Sequence, residues 1–132
     1  MAASPVLADS SYYIRLLRQG LDPIRELALA AETADLAVCG VVRCEVGRAL
    51  RPVRVREKFR AFWDVMVNVP TDNRLWTEAE NGLWELDRQG IILPLTDMVI
   101  ACCARRVGAV ILTFDRHFAQ IPGVRSTDRL EE

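Results

Sequence analysis

Short, continuously apolar segments separated by helical stretches are the feature that most limits the folds open to this chain. The clearest is 109–113, which is rich in β-branched residues and shows no alternation of apolar and polar positions. Residues 6–8 and 35–39 have the same character, and briefer candidates lie at 67–69 and 124–126. Strands that are apolar throughout are typical of a parallel sheet covered on both faces. The sequence therefore predicts an α/β fold, a three-layer α/β/α sandwich around a central parallel sheet of four or five strands.

Helices are predicted between these strands from capping residues, glycines and apolar stripes. We expect Ser10 and Ser11 to cap the first helix and Thr96 to cap the last, which runs through a long apolar stretch to Gly108. The expected helical segments are 10–20, 22–31, 41–50, 55–67, 72–90 and 96–108.

The length and composition limit the class of protein. A chain of 132 residues can bury its own core, and we expect a single domain over residues 1–132. No apolar run approaches the roughly 20 residues of a membrane span, and no signal peptide is visible at the start. The four cysteines form no C-x-x-C pair and the chain has one histidine, so a zinc site is not indicated. We therefore expect buried, reduced thiols and a cytoplasmic protein with no membrane partner.

Four acidic side chains stand at the ends of predicted elements. Asp9 and Asp115 follow strands, Asp97 begins the last helix, and Glu45 lies one turn into a helix that follows a strand. Because sites form at the carboxyl ends of parallel strands, the four can converge at one edge of the sheet. Each also has a simpler explanation, as a helix cap, a turn residue, a strand-end residue or a solvated charge.

Such a cluster, if it forms, has a definite chemistry. Carboxylates held together repel one another unless a cation neutralises them, and hard oxygen ligands favour Mg²⁺ or Mn²⁺. A bound ion of this kind activates water and stabilises the charge that develops on a phosphodiester. The acids therefore predict phosphodiester hydrolysis.

The residues that several other catalytic mechanisms and binding sites require are missing from this sequence. His117 is the one histidine, so a two-histidine ribonuclease mechanism is excluded, and we expect this residue to lie in a surface turn. There is no G-x-S-x-G elbow, no phosphate-binding G-x-x-x-x-G-K-[ST] loop and no G-x-G-x-x-G. A phospho-acceptor receiver domain needs a lysine near a late strand, whereas Lys58 lies in a mid-chain helix.

A basic stretch lies in the middle of the chain. The formal net charge of −1 gives no general attraction to nucleic acid, so any RNA binding must come from such a patch. An ordinary solvated face of two helices is the alternative. The arginines with which we associate weak RNA binding are Arg43, Arg48, Arg51 and Arg54.

Four segments, in this order, resemble the motifs of PIN domains of the kind found in VapC-type toxins of toxin–antitoxin pairs. The first is the apolar strand and acid of residues 6–10, VLADS, and the second is the helical glutamate of residues 44–48, CEVGR. The third is GIILPLTDMVIA at 90–101, and the fourth is LTFDRHF at 112–118. The resemblance covers nearly the whole chain.

This resemblance implies a Mg²⁺- or Mn²⁺-dependent endoribonuclease that forms a homodimer and is inhibited by a cognate antitoxin protein. Its catalytic and metal-binding acids would be Asp9, Glu45, Asp97 and Asp115, with Ser10 and Thr113 as supporting polar groups. His117 stands where many members carry another acid, so a second metal ion is not implied. The alternatives are a catalytically silent PIN-like module that binds RNA or protein, and a DNA-directed nuclease.

Overall fold

The computed structural model describes residues 3–130 and has a central sheet of five parallel strands. Their order across the sheet is β3-β2-β1-β4-β5, and every neighbouring pair is parallel. The predicted α/β/α sandwich with a parallel sheet of four or five strands is therefore confirmed. The strands are β1 (Val6–Ala8), β2 (Leu36–Cys39), β3 (Val67–Val69), β4 (Val110–Leu112) and β5 (Ser126–Thr127).

Between residues 3 and 130, six α-helices and one 3₁₀ helix accompany these strands. The α-helices are α1 (Ser10–Arg18), α2 (Pro23–Ala30), α3 (Gly40–Gly47), α4 (Val53–Asp64), α5 (Asn73–Arg88) and α6 (Leu95–Val107). The 3₁₀ helix, Arg116–Gln120, follows β4. Within residues 3–130, none of the helices has the length and apolar character needed to cross a membrane.

Several predicted boundaries were wrong. The helix expected over 41–50 ends at Gly47, because the next amides bond three residues back, Ala49 to Val46 and Leu50 to Gly47. The edge strand expected at 124–126 is β5, where Ser126 and Thr127 pair with β4.

Cys39, Cys102 and Cys103 are buried free thiols as expected, but Cys44 is exposed.

Two predicted helix caps were wrong, whereas Asp22 and Asp72 cap α2 and α5 as their sequence positions indicate. Asp9 caps α1, where its carboxylate accepts a hydrogen bond from the Tyr12 amide, so neither Ser10 nor Ser11 has that role. Helix α6 begins at Leu95, directly after Pro94, and no side chain caps it. Thr96 therefore lies inside the first turn, and Asp97 is in the same turn.

Helix α6 lies at the centre of the core. Every residue from Asp97 to Ala104 is buried, as expected for a helix packed on several sides. It contacts α5 most extensively, and it also contacts α3 and strands β2, β3 and β4. At Gly82 of α5, a Cβ would come within 2.9 Å of the Met98 sulfur, so the missing side chain lets the two helices pack closely. The carboxylate of Asp97 is therefore carried by a rigid element.

The strand order determines where a site can form. From β1 the chain moves to β2 and β3 on one side, and β4 then returns to the other side of β1. Such a reversal leaves a crevice beyond the carboxyl ends of the two central strands. Asp9 follows β1, and its amide donates to the carbonyl of Leu112 at 3.0 Å. Thr113 and Asp115 follow β4, so the crevice is lined by acids from both strands.

Candidate metal centre

Asp97, Asp115 and His117 form a compact cluster at this crevice. One side-chain ligand atom from each lies within 4.8 Å of the other two. His117 Nδ1 is 2.8 Å from Asp97 Oδ2 and 3.1 Å from Asp115 Oδ1. The Asp115 carboxylate also accepts the His117 backbone amide at 2.9 Å, which fixes the start of the 3₁₀ helix. The tertiary structure thus joins the start of α6 to the segment after β4.

Asp9 belongs to an adjoining network of hydroxyl groups. Its Oδ1 accepts hydrogen bonds from the Ser11 hydroxyl at 2.8 Å and the Tyr12 amide at 3.2 Å. Its Oδ2 accepts from the Thr113 hydroxyl at 2.8 Å. Thr113 Oγ1 in turn accepts the Asp115 amide at 2.9 Å. Thr113 is therefore a direct link between the acid after β1 and the acid after β4.

Glu45 approaches the crevice from α3. Its side chain is partly buried, and Oε1 accepts a hydrogen bond from the Ser10 hydroxyl at 2.8 Å. Ser10 directly follows Asp9, so this bond connects α3 to the carboxyl end of β1. Asp97 and Asp115 thus lie in the cluster, and the Thr113 hydroxyl links Asp9 to the segment that carries Asp115. Glu45 is bonded to the residue after Asp9, and not directly to any of the other three acids.

The electrostatics are those of an acidic site in which His117, when protonated, is the positive partner of two carboxylates. Burial, together with the nearby Asp115, raises the pKa of Asp97 to about 6. Burial also raises the pKa of Asp9, against the opposing effect of its three hydrogen bonds, and the charge of Asp115 adds to the increase. The hydrogen bond to Asp97 raises the pKa of His117. An added cation would relieve the desolvation and repulsion that raise the pKa values of Asp97 and Asp9.

These side chains fit a divalent cation. Two carboxylates supply the hard oxygen ligands that Mg²⁺ and Mn²⁺ prefer, and an imidazole nitrogen is a usual ligand of first-row transition ions. The cluster comes from two rigid segments, and Asp97 is only 8% exposed. Asp97, Asp115 and His117 are thus the residues with direct access to one ion, with Asp9 and Glu45 beside them.

Comparison with known proteins assigns the chain to a family. The model of the PIN domain family matches residues 6–124. The chain belongs to the PIN domain family. No curated protein sequence matches it significantly.

Solved structures show the same fold. VapBC from Salmonella typhimurium, bound to DNA, is 22% identical with a TM-score of 0.76, over 95% of this chain and 98% of that one. VapBC2 from Rickettsia felis, bound to a fragment of its promoter DNA, is 17% identical with a TM-score of 0.75, over 93% and 97%. VapC20 from Mycobacterium tuberculosis, a toxin that cleaves the sarcin-ricin loop, is 18% identical with a TM-score of 0.62, over 91% and 98%.

Sequence reasoning missed two residues of this PIN domain's crevice. Ser11, rather than Ser10, is the serine bonded to Asp9, and it also accepts the Phe114 amide at 3.1 Å. The two serines are adjacent, and nothing in the sequence shows which of them bonds to Asp9. His117, expected in a surface turn, places its ring between two carboxylates. The sequence feature that could have placed His117 at the site is its position two residues after Asp115, a predicted metal ligand.

The predicted RNA-binding arginines of the PIN domain do not share one environment. The Arg43 guanidinium is held by Asp64 at 2.8 Å and by Asn68 at 3.0 Å. Arg48, Arg51 and Arg54 are exposed. Arg43 and Arg48 line a groove of about 370 Å³ on α3 and α4. A role for these arginines in RNA binding stays a prediction.

Proposed function

We propose that this PIN domain is a metal-dependent endoribonuclease and the toxin of a VapBC-type toxin–antitoxin pair. The observation that carries the proposal is the cluster of Asp97, Asp115 and His117 at the crevice between β1 and β4. It brings the carboxylates at the start of α6 and just after β4 into reach of one ion, near the buried carboxylate of Asp9.

Asp97 and Asp115 would hold Mg²⁺ or Mn²⁺, with Asp9 and Glu45 completing the acidic surroundings. When bound, such an ion supplies an activated water and stabilises negative charge on the phosphodiester. The protein supplies the positioning. Thr113 hydrogen-bonds to the carboxylate of Asp9 and to the amide of Asp115 and so fixes their relative position. Ser11 hydrogen-bonds to the Asp9 carboxylate, and Ser10 to the Glu45 carboxylate. Rigid carboxylates of this kind need little reorganisation when charge develops on the substrate.

The proposed partners follow from the relatives. VapC20 cleaves the sarcin-ricin loop, and the Salmonella and Rickettsia structures are VapBC complexes. For this chain we propose an RNA substrate and a cognate antitoxin protein. Assembly as a homodimer is proposed on the motif resemblance to VapC-type toxins alone.

The test is cleavage of end-labelled RNA by the purified protein. We expect cuts with Mn²⁺ or Mg²⁺, none with EDTA, and at least a hundredfold loss of rate in Asp97→Asn, because that variant loses a charged ligand of the cluster. Asp87→Asn is the matched control, since Asp87 is an exposed aspartate on α5, and it should cut like the wild type.

The other outcomes separate the alternatives. Full activity of Asp97→Asn, or cleavage that survives EDTA, would refute the metal-dependent mechanism. RNA binding without cleavage under any divalent ion would identify a silent binding module. Faster cleavage of single-stranded DNA than of RNA of the same sequence would identify a DNA-directed nuclease.

A further inference from the structure

Two grooves meet at Phe114, beside the candidate metal centre. One, of about 660 Å³, is lined by residues that include Asp115 and Arg116. The other, of about 450 Å³, is lined by residues that include Ser10 and Arg18. Arg15 and Phe114 line both grooves. We call the two grooves together the Phe114 channel.

The channel passes the acids on both sides of the crevice. Asp115 itself lines the larger groove, together with Thr113. Ser10, which donates to Glu45, and Ser11, which donates to Asp9, line the smaller groove. A linear polymer that lies in the channel therefore runs alongside Asp115 and the two serines that bond to Glu45 and Asp9.

Phe114 is the middle layer of a stack that runs from the core to the surface. Its ring is parallel to that of Tyr12 within 10°, with 5.5 Å between the centroids. The guanidinium carbon of Arg15 lies 4.1 Å from the Phe114 centroid. Tyr12 is buried, Phe114 half-buried and Arg15 exposed. Aromatic rings and arginine planes arranged in this way are the surfaces on which unpaired nucleobases stack.

The channel also carries available positive charge. Arg15, Arg18 and Arg116 form no ion pair with any acid between residues 3 and 130. Asp128 lines the larger groove and is the acid there besides Asp115. Among the mid-chain arginines, Arg43 on α3 is bonded to Asp64, and Arg56 and Arg60 on α4 lie within 4 Å of Glu57. Arg48, Arg51 and Arg54 likewise form no ion pair within residues 3–130. Backbone phosphates bind best where guanidinium groups are not already paired.

We propose that the Phe114 channel binds single-stranded RNA. One base stacks on the exposed face of the Arg15 guanidinium, which lies against Phe114. The edges of the Arg15, Arg18 and Arg116 guanidinium groups contact the backbone phosphates on either side of that base. The inference rests on the proposed function and names the surface through which the substrate reaches the acids. It assigns this role to α1 and the segment after β4 rather than to the mid-chain arginines, because this surface adjoins the crevice and offers a stacking platform.

The experiment measures binding apart from cleavage. Fluorescence anisotropy follows a short labelled single-stranded RNA with the purified Asp97→Asn protein as parent, so that the RNA stays intact. Adding Arg15→Ala is expected to weaken RNA binding about tenfold. It should also reduce the slope of the logarithm of the binding constant against the logarithm of the salt concentration by about one, the value for one lost phosphate contact. Adding Phe114→Leu keeps an apolar side chain against Tyr12 but removes the aromatic ring that supports the Arg15 guanidinium. This variant should also weaken binding about tenfold.

Two controls are matched to these variants. Arg25→Ala removes an exposed arginine on α2 that does not line the channel, and binding should be unchanged. Arg54→Ala tests the rival surface on α4. Thermal unfolding of each variant checks that the fold is kept.

Each outcome decides the proposal. Loss of binding in Arg15→Ala and Phe114→Leu, with the two controls intact, supports it. Equal binding by parent, Arg15→Ala and Phe114→Leu would overturn it, as would a loss confined to Arg54→Ala or no RNA binding by the parent. If the channel variants lose RNA binding but the wild type never cuts RNA, the proposed nuclease function is refuted and the proposed RNA-binding role of the channel is supported.

Discussion

Replacing Thr113 by valine tests whether one hydroxyl group connects the two central strand ends. Valine keeps the β-branched shape and the buried position, since Thr113 is 5% exposed. It removes the hydroxyl that donates to Asp9 Oδ2 at 2.8 Å and accepts the Asp115 amide at 2.9 Å. Two polar groups thereby lose their partner inside the protein.

The expected cost follows from these two bonds. Leaving a buried polar group unsatisfied costs about 1–3 kcal/mol, and more where the group is charged. Thr113→Val should therefore lower the free energy of unfolding by about 2–5 kcal/mol, a large share of the roughly 5–15 kcal/mol typical of a folded protein. The pKa of Asp9 should rise further, because the hydrogen bond from Thr113 is one of the effects that lower it.

Thr113→Ser is the matched control, because it keeps the hydroxyl and loses one methyl group, at about 1 kcal/mol. Urea unfolding followed by tryptophan fluorescence at pH 7 measures both variants. The reasoning is refuted if valine costs no more than serine, since the hydroxyl would then not be what stabilises the two acids.

Two further predictions concern the cluster itself. The pKa of Asp97, raised to about 6 from an ordinary 3.8, means that the folded protein holds this proton more tightly than the unfolded chain. The stability that Asp97 contributes to the metal-free protein should therefore be present below about pH 4 and lost as pH rises through about 6. Urea unfolding at pH 4.5 and pH 7 should show the wild type losing stability relative to Asp97→Asn, and parallel curves would contradict this. For His117, whose Nδ1 lies 2.8 Å from Asp97 Oδ2, we expect His117→Ala to weaken Mn²⁺ binding about tenfold and to remove a nitrogen coupling from the pulsed EPR spectrum of bound Mn²⁺. A wild-type spectrum with no such coupling would leave His117 as an ion-pair partner of the two aspartates.

The fold could be predicted because each sequence pattern that indicates a strand or a helix lies within a short stretch of the chain. Continuous apolar strands such as β4 indicate a sheet buried on both faces, and the helices between them indicate parallel crossovers. Boundaries were less predictable where a short-range hydrogen bond decided them. Asp9 caps α1 ahead of two serines, and Pro94 starts α6 before Thr96, because each backbone conformation depends on the strand or loop that precedes it.

The acids, their order and their positions at the ends of strands and helices could be read from the amino-acid sequence, because strand ends and helix starts are encoded within a few residues. Which side chains meet depends on how the strands and helices pack together. The placement of β4 beside β1 brings Thr113 to Asp9, across 104 positions of the chain. The burial of α6 against the sheet brings Asp97 to His117, which local pattern had assigned to a surface turn. Such contacts depend on strand order and helix packing, and these are properties of the whole chain.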